Sequence, residues 1–132
     1  MTTKHFKKLT TVILDKITKA GDAGQKEYAH DSSDVFANFK RVAKSLNTSK
    51  EKVLLTYMLK HIDGVTAYTN GHQSQREDVT GRLTDIIVYS MLLWGMIEEG
   101  SKEYKAKYPN DQFVKEHLAG WGEYQTTGDE VI

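Results

Sequence analysis

The chain has 132 residues, no cysteine, and 18 basic residues balanced by 18 acidic ones. That length suits one domain able to bury a core unaided, and the missing cysteines exclude disulfides, zinc–thiolate sites and thiol chemistry. The charge balance supplies no global field toward nucleic acid or an anionic membrane, so nucleic-acid binding would need a local basic patch. No apolar run approaches the roughly 18 residues of a membrane span. The N-terminus lacks the apolar block and cleavage site of a secretory signal, so a cytoplasmic location is expected. One proline, ten glycines and long helix-period segments without alternating strands predict an all-α fold. The expected architecture is a single-domain bundle of about four to five helices over residues 1–119, with a C-terminal tail at 120–132.

A first helix is expected over residues 4–20. Phe6, Leu9, Val12, Ile13 and Ile17 recur there at helical spacing, with Lys7, Lys8, Asp15, Lys16 and Lys19 opposite. Gly21 and Gly24 are expected to end it, and His5 to sit in a mobile N-terminus. The polar stretch from Gln25 to Asp34 reads as irregular and offers Lys26, Glu27, His30, Asp31 and Asp34 to a ligand. A second helix from Ser32 or Ser33 to Leu46 carries Phe36, Phe39, Val42, Ala43 and Leu46. Asn47 and Thr48 break it. Thr48 with Glu51 forms a capping-box pattern that restarts a helix through Val53, Leu54, Tyr57, Met58, His61, Ile62 and Val65. Asn70-Gly71 then marks a loop.

The segment from Arg76 to Glu99 is the expected central helix. Val79, Leu83, Ile86, Ser90, Leu93 and Ile97 share one face, while Asp78, Arg82, Asp85 and Tyr89 form a second stripe. From Ile86 to Met96 the helix is apolar almost all round, as for a helix contacted on most sides. A lysine- and tyrosine-bearing segment over residues 101–108 follows Gly100 and stops at Pro109. A short last helix through Phe113, Val114, His117 and Leu118 comes next, capped by Asn110 or Asp111. Trp121 and Tyr124 can tie the glycine-punctuated tail to the body or to a second subunit.

Two carboxylates two turns apart at a core rim cost free energy unless paired, metal-bound or facing a wet cleft. Asp78 and Asp85, with Glu77 nearby, are therefore candidate ligands of an oxygen-bound Mg²⁺. The structural alternative is that Asp78 caps the helix start and Asp85 pairs with Arg82 or a neighbouring lysine. Lys60 and His61 lie together on the third helix and could meet phosphate, although a histidine on an apolar stripe is more often a hydrogen-bonded core residue. His30, His72 and His117 show no metal-ligand spacing. No phosphate-binding glycine loop or nucleophile elbow is present. Tyr28, Phe36, Phe39, Tyr57 and Tyr89 are mostly core by periodicity; those near helix ends could stack on a base.

Lys26-Glu27-Tyr28-Ala29, Asn38-Phe39, Met58-Leu59-Lys60-His61, Glu77-Asp78 and Asp85-Ile86-Ile87-Val88-Tyr89 follow one another in an order that resembles small helical proteins common in bacteriophage genomes. Those proteins are in turn similar to the MazG-like, all-α nucleoside triphosphate pyrophosphohydrolases. The likeness covers roughly residues 20–97. It implies a helical core that often assembles into oligomers, with a nucleotide cleft between helices. It also implies Mg²⁺ held by an E-x-x-E pair and a later E-x-x-D pair. Asp85 takes the place of the last acid, but Arg82 stands three residues before it, and no E-x-x-E precedes the third helix. Glu27, Asp31 and Asp34 would have to stand in from a loop, and Glu77 or Asp78 from one turn or more further back.

The expected function is binding of a nucleotide or nucleotide-derived molecule by a homo-oligomer, sequestering a host signalling nucleotide in a phage setting. Lys26, Lys60 and Arg82 are the expected phosphate contacts. Asp78 and Asp85 would meet ribose, a base edge or an ion, Tyr28 or Tyr89 would stack on the base, and His61 completes the set. The alternatives are Mg²⁺-dependent pyrophosphohydrolysis through Asp78 and Asp85, and a protein-binding inhibitor acting through the helical surface and tail.

Overall fold

The computed structural model describes residues 1–28 and 33–117. The described residues form five helices and no strand: α1 (Thr3–Tyr28), α2 (Ala37–Leu46), α3 (Lys50–Thr69), α4 (Val79–Lys107) and the short α5 (Gln112–His117). The fold is all-α, as the helical period predicts. The chain divides into two compact units, Met1–Leu93 and Trp94–Ile132. The tail residues Trp121 and Tyr124 lie outside the described residues.

In the first unit α2 packs against α3. Ile17, Phe36, Phe39, Ala43, Val53 and Leu54 are buried there. Burying a large apolar side chain contributes about 1.5–3 kcal/mol, so these few residues carry much of the local stability. The α2–α3 corner is closed by Asn47, which adopts φ 52°, in the left-handed region. Its N–H donates to the Lys44 carbonyl and that of Thr48 to the Ala43 carbonyl. This pairing satisfies two carbonyls at the end of α2, and asparagine tolerates the conformation better than most residues. In the second unit Met96 is buried, and Tyr104 donates to the Asp111 carboxylate at 3.1 Å while its ring lies 4.8 Å from that of Tyr108. No helix among the described residues is long and apolar enough to cross a membrane.

Several helix ends differ from expectation. α1 passes through Gly21 and Gly24 and reaches Tyr28, so Lys26, Glu27 and Tyr28 are helical. A glycine costs a helix only about 1 kcal/mol relative to alanine. It ends one when the backbone turns left-handed, and neither glycine has a positive φ. His5 belongs to the first turn of α1, its N–H donating to the Thr2 hydroxyl at 3.2 Å. α2 begins at Ala37, four residues after the later of the two expected starts, because Asp34 first closes a turn. The cap of α3 is Ser49, whose hydroxyl accepts from the Lys52 N–H at 3.2 Å; the Thr48–Glu51 box does not form. Finally, α4 continues through Gly100 and absorbs the segment expected to stand apart, stopping ahead of Pro109.

Candidate functional site

Helices α3 and α4 meet through three successive side-chain contacts. The Arg82 side chain lies against Gly64, Asp85 lies beside His61, and the Tyr57 and Tyr89 rings sit 6.4 Å apart. The order reverses along the two chains, as in antiparallel helices one turn per contact. Gly64 is the reason Arg82 fits. A Cβ at that position would stand 2.5 Å from three atoms of the Arg82 side chain.

Beside this seam lies a cleft of about 380 Å³, within the size range of small-molecule sites. α1 contributes Ala20, Gly21, Gly24, Gln25 and Tyr28; Val35 ahead of α2 and Asn38, Phe39, Arg41 and Val42 on it add a second wall. α3 adds Tyr57, Lys60 and His61, and α4 adds Asp85, Val88, Tyr89 and Leu92. The glycines that fail to end α1 thus have a spatial consequence. A Cβ at Gly21 or Gly24 would meet nothing within 4 Å, so the α1 wall stays thin where larger residues would fill the cleft.

Aromatic rings line much of the cavity. Phe39 lies 6.0 Å from Tyr57 and 6.3 Å, edge-on, from Tyr89, and His61 lies 5.7 Å from Tyr89. Tilted and edge-to-face pairs at these separations are favourable beyond their buried area. Burial, then the nearby Asp85 carboxylate, push the Tyr89 phenol up from its ordinary value. The neighbouring Glu27 carboxylate does the same to Tyr28. Both hydroxyls are therefore neutral donors at physiological pH.

Next to the rings is a polar group. His61 is buried, only 8% exposed, with Nε2 3.6 Å from Asp85 Oδ2 and Nδ1 3.9 Å from Glu77 Oε2. Neither distance is a hydrogen bond, and among the described residues Nδ1 has no hydrogen-bond partner. Burial raises the Asp85 carboxyl above the usual carboxylate range, and hydrogen bonding with the adjacent Glu77 carboxyl raises it further. The positive charge of Arg82 and of His61, when protonated, opposes this. Arg82 Nη1 stands 4.0 Å from Glu77 Oε2.

Of the residues expected at a site, Tyr28, Lys60, His61, Asp85 and Tyr89 line this one cleft. Lys26, Asp78 and Arg82 do not. Lys26 is exposed on α1. Asp78 precedes α4, accepts from the Thr80 hydroxyl, and its carbonyl takes the Gly81 and Arg82 N–H groups, as a helix-start residue does. It lies with Tyr68, Arg76 and Glu77 in a separate shallow depression. Arg82 is mostly buried between Gly64 and Glu77. Asp34 is likewise engaged, accepting from the Phe36 N–H at 3.0 Å and from Lys40 Nζ at 2.7 Å. Asp31 and His30 lie outside the described residues.

Arg41 and Asn38 enter the site without having been singled out as ligand contacts, and Glu77 replaces Asp78 in the acidic group beside Asp85. Asn38 stands next to Phe39 in a motif already visible in the sequence. Nothing in the one-dimensional pattern distinguishes Arg41 from the other solvated cations. Comparison with protein-family models, curated proteins and solved structures gives no match.

Proposed function

We propose that the protein binds a nucleotide or nucleotide-derived small molecule in the cleft between α1, α2, α3 and α4. The observation that carries this reading is the joining of aromatic faces (Phe39, Tyr57, Tyr89 and, at the mouth, Tyr28) to two cations, Lys60 and Arg41, in one small cavity. An aromatic face attracts any base and contributes about 1–3 kcal/mol per stacked ring. A guanidinium and an ammonium supply charge-assisted bonds to phosphate oxygens. Asn38 and Gln25 can pair with a base edge, being both donors and acceptors. In this reading Lys60 and Arg41 carry the phosphate, and Lys26 and Arg82 do not. Sequestration of a host signalling nucleotide by a phage protein fits a binder of this kind.

A second reading, Mg²⁺-dependent cleavage of a nucleoside triphosphate, is favoured by Asp85 in the cleft wall with the Glu77 carboxylate close to it. The metal would polarise phosphoryl oxygens and activate water. Binding is preferred because the E-x-x-E and E-x-x-D pattern of the resembled hydrolases is incomplete.

Thermal-shift titration against a panel of mono-, tri-, cyclic and dinucleotides tests the proposal. A ligand at a hundredfold excess over Kd should stabilise the protein by about 2.7 kcal/mol, and Lys60→Ala and Arg41→Ala should each reduce that shift without lowering the ligand-free melting temperature. Pyrophosphate release that depends on added metal and disappears in Asp85→Asn would transfer the assignment to the hydrolase. If no nucleotide in the panel shifts the melting temperature and none is turned over, the cleft reading fails and the protein-inhibitor alternative takes its place.

A further inference from the structure

The imidazole of His61 is poorly explained as a core residue. It is buried, it makes no hydrogen bond through Nδ1, and a carboxylate stands off each of its nitrogens at 3.9 and 3.6 Å. A buried polar nitrogen without a partner costs roughly 1–3 kcal/mol. A protonated imidazole held as an ion pair would draw its carboxylates to about 2.7–2.9 Å. These gaps are too long for that, and short for a bridging water, whose two hydrogen bonds at a tetrahedral angle span about 4.5 Å. One ion can take only one ring nitrogen of His61, and either gap by itself suits that arrangement. Two metal–ligand bonds of roughly 2.0–2.2 Å separate their donor atoms by about 3.4 Å at a tetrahedral angle and by a little over 4 Å when in line.

We infer that His61, Glu77 and Asp85 form a binding site for a first-row divalent transition metal, zinc or manganese in type. One ligand atom from each of the three residues lies within 4.8 Å of the others. The donor set decides the class of ion: an imidazole beside two carboxylates suits zinc, iron or manganese, whereas magnesium prefers oxygen donors and retained water. The all-carboxylate cage implied by the sequence resemblance is therefore not the one these residues build. With three protein ligands, a four- or five-coordinate ion keeps open positions. His61 and Asp85 both line the cleft, while Glu77 lines the separate depression; an open position on the cleft side would accept a phosphate oxygen or a water. The inference rests on the proposed function only for what the open positions receive; the ion itself needs no nucleotide.

The test uses the untagged full chain, dialysed against EDTA and titrated with zinc, with manganese and with magnesium in the absence of nucleotide. One equivalent of zinc should bind at least a hundredfold more tightly than magnesium. Cobalt should give visible absorption bands of a low-symmetry site, and the His61 ring nitrogen should move in a ¹⁵N spectrum on addition of zinc. Because His61→Gln removes a buried ring and can disturb folding, the half-exposed ligands are changed as well: Glu77→Gln and Asp85→Asn should each weaken zinc binding at least tenfold while retaining the wild-type helical spectrum. Equal affinity for magnesium and zinc, unchanged zinc affinity in both variants, or an unperturbed His61 resonance would each overturn the site. Failure of the nucleotide panel leaves these outcomes untouched, so the two proposals fail separately.

Discussion

Asp34 holds the entry to α2 with both carboxylate oxygens: Oδ1 accepts from the Phe36 N–H at 3.0 Å and Oδ2 from Lys40 Nζ at 2.7 Å. Phe36 is buried immediately afterwards, so this turn fixes where the chain enters the core. The Lys40 contact, followed by the Phe36 N–H, lowers the Asp34 carboxyl below its ordinary value. The unfolded chain therefore binds the proton more readily than the folded one. The stabilisation is fully present above the unfolded aspartate value of about 3.9 and is lost as pH falls through the lower folded value. Asp34→Asn keeps an oxygen for Phe36 but removes the charge. Both partners are substantially exposed, which limits the effect to a few tenths up to about 1 kcal/mol. Urea unfolding should show the variant less stable than wild type by this amount at pH 6, with the gap closing below about pH 4. A gap that stays constant into that acid range would mean the ion pair contributes nothing.

At the scale of the helices, α3 and α4 are registered by the fit of Arg82 against Gly64. Glycine to alanine in a helix interior ordinarily gains up to about 1 kcal/mol. Here the new Cβ would displace an Arg82 side chain that also stands 4.0 Å from Glu77. Gly64→Ala should therefore show little or no gain in the wild-type background and the full gain alongside Arg82→Ala. A double-mutant cycle in urea should return a coupling of at least about 0.5 kcal/mol; simple additivity would mean that the helices are registered by something else. The same seam marks how far the site is legible in the sequence. Helix existence follows from the 3.6-residue period, which is a property of neighbours along the chain, and Asp85 and Tyr89 share a face of α4 for that reason. Arg82 lies on the same stripe, but its long side chain folds back along Gly64, which periodicity does not determine. Glu77 joins the site although α4 begins at Val79, three residues after the expected start at Arg76, so a wheel drawn from the sequence misplaces it. Gly21 and Gly24 read as terminators because glycine propensity is local, but the cost of about 1 kcal/mol each does not break a 26-residue helix that keeps ordinary helical φ through both.

At the scale of the whole molecule, the apolar faces exposed among the described residues bear on assembly. Leu55, Leu59 and Ile62 on α3, and Leu83, Ile87 and Met91 on α4, recur at helical spacing and are all exposed, Leu59 at 57% and Met91 at 61%. Phe6, Leu9 and Val12 repeat the pattern on α1. Contiguous apolar stripes of this kind are uncommon on monomers, and a second copy of the chain is the partner that every preparation supplies. Such an interface would need to bury on the order of 800 Å² on each subunit. Its placement also predicts independence from the cleft. Leu83 and Ile87 stand two residues either side of Asp85, about 160° away round α4, and Leu59 is as far from His61 round α3. Light scattering at micromolar concentration should therefore give a multiple of the 15.0 kDa chain mass. Leu59→Glu and Met91→Glu together should reduce it to one chain with the helical circular-dichroism spectrum intact. The monomeric variant should keep zinc binding and any nucleotide-dependent thermal shift, because the charges are introduced on the faces opposite His61 and Asp85. A wild-type protein that scatters as a 15.0 kDa monomer would rule out the assembly, and loss of zinc binding on monomerisation would place the subunit boundary at the cleft instead.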